Sequence, residues 1–203
     1  MPDTIDRSKF AEIYAQRPPW DIDGPQAPFR DSAAQLCGRV LDSGCGSGEN
    51  ALFLAARGLA VTGVDFLPVP IDQARAKAAA RKLTATFLVK DALTLLTWDE
   101  RFDAAIDSGL FHVFSDADRD TYVRGLTHVV KPGGRLQLLC FSDRTPGTQG
   151  PRRVTRPELE AAFKDRFRID SLTPARFEVR PEFRVQMFDD RDPEGWFLQA
   201  TRL

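Results

Sequence analysis

The sequence predicts an α/β fold: a mostly parallel sheet of seven strands with helices on both faces and an antiparallel pair of strands at the C-terminal end. Two observations predict it. Short apolar segments alternate with helical segments between residues 39 and 141, and no good crossover helix separates the segments 167–179 and 196–203. Alternating strands and helices imply parallel strands joined by right-handed crossovers, whereas strands without a crossover helix are expected to pair antiparallel.

The predicted parallel strands are the five short apolar segments of the alternating region. They occupy residues 39–44, 59–65, 85–91, 102–109 and 135–141. The KPGG sequence at 131–134 predicts a turn into the last of them, because proline and glycine end regular structure.

Helices are predicted where apolar residues recur at helical spacing. They occupy residues 8–16, 28–37, 49–58, 71–83, 116–131 and 155–163. The last of these has Pro157 in its first turn, where a missing backbone N–H is tolerated. Residues 180–194, with Pro181 and an acidic run, are predicted to form a loop.

Composition limits the expected partners and compartment. The 203 residues include 28 Lys+Arg and 29 Asp+Glu without a long basic run, so neither nucleic acid nor a membrane surface is an expected partner. Because the sequence shows no apolar signal segment and no bilayer-spanning stretch, we expect a cytoplasmic protein. We also expect a monomer or weak homodimer. Three cysteines without a CxxC pair favour a reducing compartment, and with two histidines they predict no metal site.

The most informative segment is VLDSGCGSGEN, residues 40–50, between the first predicted strand and its helix. Gly44, Gly46 and Gly48 allow the backbone to turn tightly and approach a ligand, while the amides of the helix start face that ligand. A nicotinamide-dependent oxidoreductase is an alternative with the same architecture. Its fingerprint, however, needs a glycine where this chain has Glu49.

Acidic residues accompany three successive strand ends: Asp42, Asp65 and Asp91. The carboxyl ends of parallel strands meet at one edge of a sheet, so we expect these carboxylates to converge on one crevice. Asp65 is placed to accept hydrogen bonds from both hydroxyls of a ribose. For any one of them taken alone, a solvated strand-end acid or a helix cap is the alternative.

Together these segments resemble the class I S-adenosylmethionine (SAM)-dependent methyltransferases, which have a Rossmann-like fold. The resemblance covers residues 38–142 and is carried by LDSGCGSGEN, VTGVDF, VKDAL, FDAAIDSGLFHVF and VVKPGGRLQLLCF. It implies SAM as cofactor and S-adenosylhomocysteine (SAH) as product. It also implies a single domain over residues 1–203, with an N-terminal helical cap over the cofactor site at 1–37 and a Rossmann-like core at 38–203.

The resemblance also assigns cofactor-binding residues within the core. It places the glycine loop and the end of the fourth strand at the methionine part of SAM, the second strand end at the ribose, and Phe66 with Ala92 at the adenine. The expected residues are Asp42, Ser43, Gly44, Gly46, Gly48, Asn50, Asp65, Phe66, Asp91, Ala92, Asp107 and Ser108.

The front segment YAQRPPWDIDGPQAPF, residues 14–29, is similar to that of small-molecule methyltransferases of the thiopurine, halide and heterocyclic-toxin type. This similarity implies that Tyr14, Trp20 and Gln26 close over SAM, with an aromatic face near the sulfonium cation. The alternative is that they staple the first helix onto the sheet.

Methyl transfer from SAM mainly requires alignment of the acceptor, so a dedicated catalytic residue is not obligatory. His112, after the fourth strand, is the evident base for a hydroxyl acceptor; the alternative is a packing or hydrogen-bonding residue. Phe111, His112 and Arg144 are the predicted substrate-binding residues. The sequence thus predicts in-line methyl transfer to an S, O, N or halide centre of a small molecule, the alternative being a SAM-binding protein without turnover.

Overall fold

The computed structural model describes residues 7–147 and 150–203 and contains a single seven-stranded sheet within them. Its strands are β1 (Arg39–Ser43), β2 (Ala60–Asp65), β3 (Thr86–Val89), β4 (Phe102–Ser108), β5 (Val130–Phe141), β6 (Phe167–Arg176) and β7 (Glu194–Arg202). They lie in the order β3-β2-β1-β4-β5-β7-β6. Strands β1 to β5 pair in parallel, and β7 is antiparallel to both β5 and β6. The predicted fold class is confirmed.

Helices cover both faces of this sheet. They are α1 (Arg7–Tyr14), α2 (Ala27–Ser32), α3 (Glu49–Ala56), α4 (Pro68–Arg81), α5 (Asp116–Val129), α6 (Arg156–Phe163) and α7 (Pro181–Met187), with short 3-10 helices at Ala33–Gln35, Ala92–Thr97 and Phe111–Val113. Among these described helices, none is both long and apolar enough to span a membrane.

Helix α7 lies in the segment that the sequence predicts to be a loop, so that prediction is wrong. Pro181 occupies its first turn, where proline costs no hydrogen bond. None of the residues of α7 is buried, and it is anchored by the buried Phe188 that follows it. A short helix without a buried face has no apolar periodicity for sequence analysis to detect.

The start of β5 also differs from the prediction. Val130 already pairs with Phe102, and the ladder resumes at Ala104 and Arg135 after a shift of register. The KPGG segment therefore forms an irregular stretch inside the strand instead of a turn before it, and α5 ends earlier than predicted, at Val129.

Two apolar clusters stabilise the fold, one on each face of the sheet. The first is formed largely by α5, α6 and the strands beneath them, with Tyr122, Phe163 and Phe167 fully buried. The second contains Phe29 from α2, Leu52 from α3 and residues of α4. Burial of large apolar side chains on both faces explains why the five parallel strands are nearly continuous apolar runs.

The order of the strands determines where a ligand can bind. From β1 the chain runs outward to β2 and β3, then returns to β4 on the other side of β1. At such a reversal the connections leave in opposite directions, which opens a crevice at the carboxyl ends of the strands. The glycine loop follows β1 at this point.

Candidate active site

A cavity lies at the carboxyl ends of the parallel strands and encloses about 1570 Å³, including its open mouth. Its two ends have different walls. The glycine-loop half is formed by segments 44–50, 65–66 and 90–93, which follow β1, β2 and β3. The apolar half is lined by Leu110, His112, Phe141, Gly150, Pro151, Phe177, Val179, Met187 and Phe188.

Gly46 lies close to two groups outside the glycine loop. Its backbone N–H donates a hydrogen bond to Asp65 Oδ2 at 3.2 Å. Its φ is +52°, and a Cβ built on it would lie 2.7 Å from the hydroxyl oxygen of Tyr14. Glycine is favoured here, because a side chain would strain the left-handed backbone and crowd the hydroxyl of Tyr14.

Asp65 ends β2 with its carboxylate in the cavity wall. Besides Gly46, the backbone N–H of Leu67 donates to it, at Oδ1, over 3.0 Å. Each carboxylate oxygen can accept a further hydrogen bond, so Asp65 can hold a diol. Burial raises its pKa to about 6, while the hydrogen bonds from the backbone of Leu67, Gly46 and Phe66 oppose that rise.

Asp91 and Ala92 also line the glycine-loop half, together with Phe66. Asp91 Oδ1 accepts the N–H of Leu93 at 3.0 Å and so caps the 3-10 helix that starts at Ala92. Asp91 therefore acts as a helix cap, the alternative considered for it above, and it also lines the cavity together with Ala92.

Asp42 lies behind the cavity and not in its wall. It is fully buried, and neither carboxylate oxygen accepts a hydrogen bond of regular geometry among the described residues, although the backbone N–H of Ala51 lies close enough to lower its pKa. Burial and the nearby charge of Asp107 raise its pKa to about 8. Ser43, beside it on β1, is also fully buried and outside the wall. Because neither side chain lines the cavity, direct contact of Asp42 or Ser43 with a ligand stays a prediction.

Asp107, at the end of β4, is likewise behind the wall, where it shapes the turn that follows. Its two oxygens accept the backbone N–H groups of Leu110 at 2.8 Å and Phe111 at 3.0 Å, and the hydroxyl of Tyr122 at 2.9 Å. Burial raises its pKa to about 7, and these hydrogen bonds oppose the rise. Its neighbour Ser108 does line the cavity.

The N-terminal segment contributes an aromatic wall. Trp20 Nε1 donates to the hydroxyl of Tyr14 at 3.3 Å. Phe10, which the sequence analysis did not single out, packs edge-on against Trp20 and Phe66, with ring centroids 6.3 and 5.9 Å away. Burial and the charge of Asp65 raise the pKa of Tyr14, which therefore stays a neutral phenol.

Gln26 connects the two ends of the cavity. Its side-chain amide makes two hydrogen bonds to the backbone of Glu178, donating to the carbonyl at 2.8 Å and accepting the N–H at 2.7 Å. Its own N–H donates to Asn50 Oδ1 on α3 at 3.0 Å. The predicted residues Gln26 and Asn50 thus join the glycine loop to the segment after β6, which lines the apolar half.

A group of charged residues fastens the N-terminal segment to the glycine loop. Lys77 Nζ on α4 lies 2.9 Å from Glu49 Oε1 and 3.5 Å from Asp21 Oδ1. It also donates to Ser47 Oγ at 2.7 Å, and Ser47 donates to Asp21. These partly buried contacts hold residues on three segments of the chain over one mouth of the cavity.

The apolar half contains His112, and the sequence analysis missed most of the other residues there. Among the described residues that line this half, none carries a charge. Phe177, Met187 and Phe188 come from the segments after β6 and around α7, and no periodicity or special residue type signals them. Gly150 and Pro151 come from the loop before α6.

Phe111 and Arg144, two predicted substrate-binding residues, lie outside the cavity wall. Phe111 is buried in the core against Phe163, with ring centroids 5.5 Å apart. Arg144 is paired with Glu194 at 3.3 Å and packs over the ring of Trp196. The antiparallel pairing of β5 with β7 brings Glu194 and Trp196 next to the loop of Arg144, which explains its position.

The strand order and the glycine loop define an α/β protein that binds a nucleotide-containing cofactor at the crevice beside β1. Comparison with protein families narrows this class, because residues 40–134 match the model of the methyltransferase domain.

Three relatives extend the comparison. The 2-heptyl-1-hydroxyquinolin-4(1H)-one methyltransferase of Mycobacteroides abscessus is 34% identical, over 97% of this chain and 94% of the relative. A structure solved in work on the conversion of a disulfide bond into a thioacetal group during echinomycin biosynthesis is also 34% identical, with a TM-score of 0.86 over 97% and 93% of the two chains. The 1,6-didemethyltoxoflavin-N1-methyltransferase of Burkholderia thailandensis shares the fold, at 22% identity and a TM-score of 0.76 over 97% and 86%.

The chain belongs to the family of SAM-dependent methyltransferases. The predicted enzyme class, cofactor and small-molecule acceptor are confirmed at this level, and neither the oxidoreductase nor the SAM-binding protein without turnover is favoured.

Proposed function

We propose that this methyltransferase acts on a planar heteroaromatic acceptor that carries an ionisable group and an apolar substituent. The observation that carries the proposal is the apolar half of the cavity. Its described walls combine the rings of Phe141, Phe177 and Phe188 with Val179 and Met187. Flat apolar surfaces of this kind favour aromatic and alkyl groups, because burying them removes apolar area from water.

The relative from Mycobacteroides abscessus supports the same class of acceptor. It is named for a hydroxyquinolinone that carries a heptyl chain, and its similarity covers nearly the whole of both chains. An apolar half next to the glycine loop fits a ring with such a substituent.

In this proposal the glycine-loop half binds SAM, which when bound supplies an electrophilic methyl group on a sulfonium cation. Asp65 accepts the ribose hydroxyls, and Phe66 and Ala92 pack against the adenine, with Asp91 beside them. The amides of the loop and Ser108 lie toward the methionine part. Tyr14 and Trp20 present their rings to the cation, which is attracted to aromatic faces.

The proposal extends to organisation and surroundings. The N-terminal segment 1–37 is proposed to cap a single domain, which the contacts of its described residues with the core support: Phe10 packs against Phe66, and Gln26 bonds to Asn50 and Glu178. The near balance of 28 basic and 29 acidic residues supports action without nucleic acid or membrane as a partner. The three cysteines without a CxxC pair support the cytoplasm, where we propose a monomer or weak homodimer.

An acceptor screen with methyl-labelled SAM tests the proposal. The panel pairs a hydroxyquinolone bearing an alkyl chain with the same ring lacking the chain, and with a ring bearing a carboxylate in place of the chain. We expect acceptor-dependent formation of SAH with the alkylated ring and a KM at least about tenfold higher without the chain, since each buried methylene contributes roughly 0.8 kcal/mol.

The carboxylate-bearing ring is the matched control, because a charge in place of the alkyl chain has no counter-ion among the described walls of the apolar half. Preference for that ring, or a panel in which no acceptor increases SAH formation, would contradict the proposed acceptor class.

A further inference from the structure

His112 is held in the apolar half by a hydrogen bond that also fixes the position of its proton. Its Nδ1 accepts the backbone N–H of Phe141 at 2.9 Å. A ring nitrogen that accepts an N–H bond carries no proton, so the neutral imidazole has its proton on Nε2. Burial and the positive charges of Arg119 and Arg153 lower the pKa of His112 to about 3. The ring is therefore neutral under ordinary conditions.

The Nε2–H group of His112 faces the cavity. Gly109 and Phe177, the close neighbours of His112, both line the cavity. A Cβ built on Gly109 would lie 3.3 Å from His112 Nε2 and 3.0 Å from the ring of Phe177. His112 is 3% exposed, and no described residue gives Nε2 a hydrogen-bond partner. The donor is reachable from the cavity, where a ligand can accept its hydrogen bond.

Glycine at position 109 keeps this donor accessible. Its φ is +84°, a conformation that residues with a side chain rarely adopt. A methyl group there would also crowd Nε2 and the ring beside it. The backbone therefore leaves open the space directly in front of the donor.

The described side chains packed around His112 are aromatic rings and cations, which do not accept a proton. The aromatic rings of Phe141 from β5 and Phe177 from the segment after β6 lie with centroids 4.8 and 6.0 Å from the imidazole. The charged groups that face it are Arg119 from α5 and Arg153 from the loop before α6, both cations. Among the described residues lining the apolar half, His112 is the one titratable side chain.

We propose that His112 is a fixed hydrogen-bond donor that positions the acceptor, and that the enzyme methylates acceptors whose nucleophile has lost its proton before binding. The inference rests on the proposed function and narrows its acceptor class to acidic heteroaromatic hydroxyls, N-hydroxy compounds and thiols. The predicted role of His112 as general base is replaced, because Nε2 already carries a proton and the Nδ1 lone pair is occupied by Phe141.

The transfer balances without a base. The anionic nucleophile forms a bond to the methyl carbon as the bond from that carbon to the sulfonium sulfur breaks. The electron pair of the breaking carbon–sulfur bond goes to sulfur. The products are the methylated acceptor and neutral SAH. The proton of the acceptor goes to solvent before binding, while the Nε2–H of His112 donates to an oxygen or nitrogen of the acceptor throughout.

Nitrogen-15 NMR of labelled histidine tests the protonation directly and needs no turnover. The chain has two histidines, so a His128→Gln variant assigns the signals and serves as a matched control. We expect a directly bonded proton on Nε2 of His112, none on Nδ1, and no titration between about pH 5 and pH 9. A proton on Nδ1, or titration in that range, would overturn the proposal.

Two substitutions separate the donor from the structural bond. Asn at position 112 places an amide oxygen near Nδ1, which keeps a partner for Phe141 but presents no donor to the cavity. Gln places an amide N–H near Nε2. We expect His112→Asn to lower kcat/KM for the acceptor by about 10- to 100-fold with unchanged affinity for SAH, and His112→Gln to retain more activity.

The pH dependence of kcat/KM completes the test, measured with acceptors of different acidity. We expect the acid limb of the profile to follow the pKa of each acceptor, in the wild type and in both variants. A limb that is the same for every acceptor and disappears in the variants would show a general base and overturn the inference. Absence of acceptor-dependent SAH with every compound would instead contradict the proposed function, and the NMR result would still decide the state of His112.

Discussion

The two halves of the cavity are built by opposite means. In the glycine-loop half, short segments directly after β1, β2 and β3 provide backbone amides and carboxylates such as Asp65, whose two oxygens are held by the N–H groups of Gly46 and Leu67. The apolar half combines residues from distant parts of the chain, including Phe141 and Met187, and its polar side chain in the wall is His112.

The construction of each half indicates what that half determines. A half built from backbone and buried carboxylates binds one fixed chemical group and tolerates little change. A half built from apolar side chains on connecting segments can take different shapes on the same scaffold, as is usual for segments that set specificity. We therefore expect substitutions in the glycine-loop half to change the affinity for the cofactor, and substitutions in the apolar half to change the KM for the acceptor.

The largest effect is expected for Asp65→Ala. Loss of the carboxylate removes two charged hydrogen-bond acceptors for a ribose, so the Kd for SAH should rise by about 100- to 1000-fold. Isothermal titration calorimetry measures it. The control is Asp72→Ala, an exposed carboxylate on α4 paired with Arg75, and circular dichroism checks that both variants fold. Affinity of Asp65→Ala within a few-fold of the wild type would break the assignment of the glycine-loop half.

A second prediction concerns the buried acids beneath the glycine-loop half. The pKa of Asp42 is raised from 3.8 to about 8 in the folded protein, so its protonated form is favoured by folding. This stability is fully present below the unfolded pKa and is lost as the pH rises toward 8. Relative to wild type, Asp42→Asn should therefore gain at least about 2 kcal/mol in free energy of unfolding over this pH range.

Chemical denaturation of the ligand-free protein at several pH values measures this difference. Asp143→Asn, on an exposed loop, is the control and should show the pH dependence of the wild type. Parallel curves for Asp42→Asn and wild type would show that the pKa of Asp42 is the same in the folded and unfolded protein, which would contradict the prediction.

The third prediction concerns the apolar half. Met187→Lys places a charge against its wall, and we expect the KM for an apolar acceptor to rise about tenfold or more, because the charge has no partner there. Affinity for SAH should stay unchanged. Val185→Lys is the matched control on the same helix, since Val185 is 67% exposed. Equal effects of both substitutions on steady-state kinetics would contradict the assignment of this half.

The smallest effect is expected for Lys77→Gln. Its contacts with Glu49 and Asp21 are partly exposed, so they contribute modestly and are screened by salt. We expect the Kd for SAH to rise two- to fivefold, roughly, at low salt, and the variant to lose the salt dependence of the wild type. Arg124→Gln, on an exposed pair of α5, is the control. If Lys77→Gln keeps the salt dependence of the wild type, other charges cause that dependence and the prediction is wrong.

Sequence analysis predicted the fold because each parallel strand is a continuous apolar segment followed by a helix. It missed α7 because none of the residues of that helix is buried. It also placed a turn at Lys131–Gly134, where the shift of register between β4 and β5 accommodates these residues inside the strand.

The candidate site was predictable to different extents in the two halves. Gly46 and Asp65 are adjacent in the cavity, and their residue types and positions after strands indicate a ligand. Phe177 and Met187 are ordinary apolar residues that reach the cavity only through the folding of the C-terminal segments. In the 3-10 turn after β4, Phe111 faces the core whereas His112 faces the cavity, a difference that no spacing in the sequence determines.

A crystal structure of the enzyme with SAH and an acidic heteroaromatic acceptor tests most directly whether one half of the cavity binds the cofactor and the other the acceptor. We predict the ribose hydroxyls of SAH on Asp65 and the acceptor ring beside Phe177, with an oxygen or nitrogen within hydrogen-bond distance of His112 Nε2. An acceptor bound outside the apolar half, or a ribose away from Asp65, would contradict the division of the cavity into a half for the cofactor and a half for the acceptor.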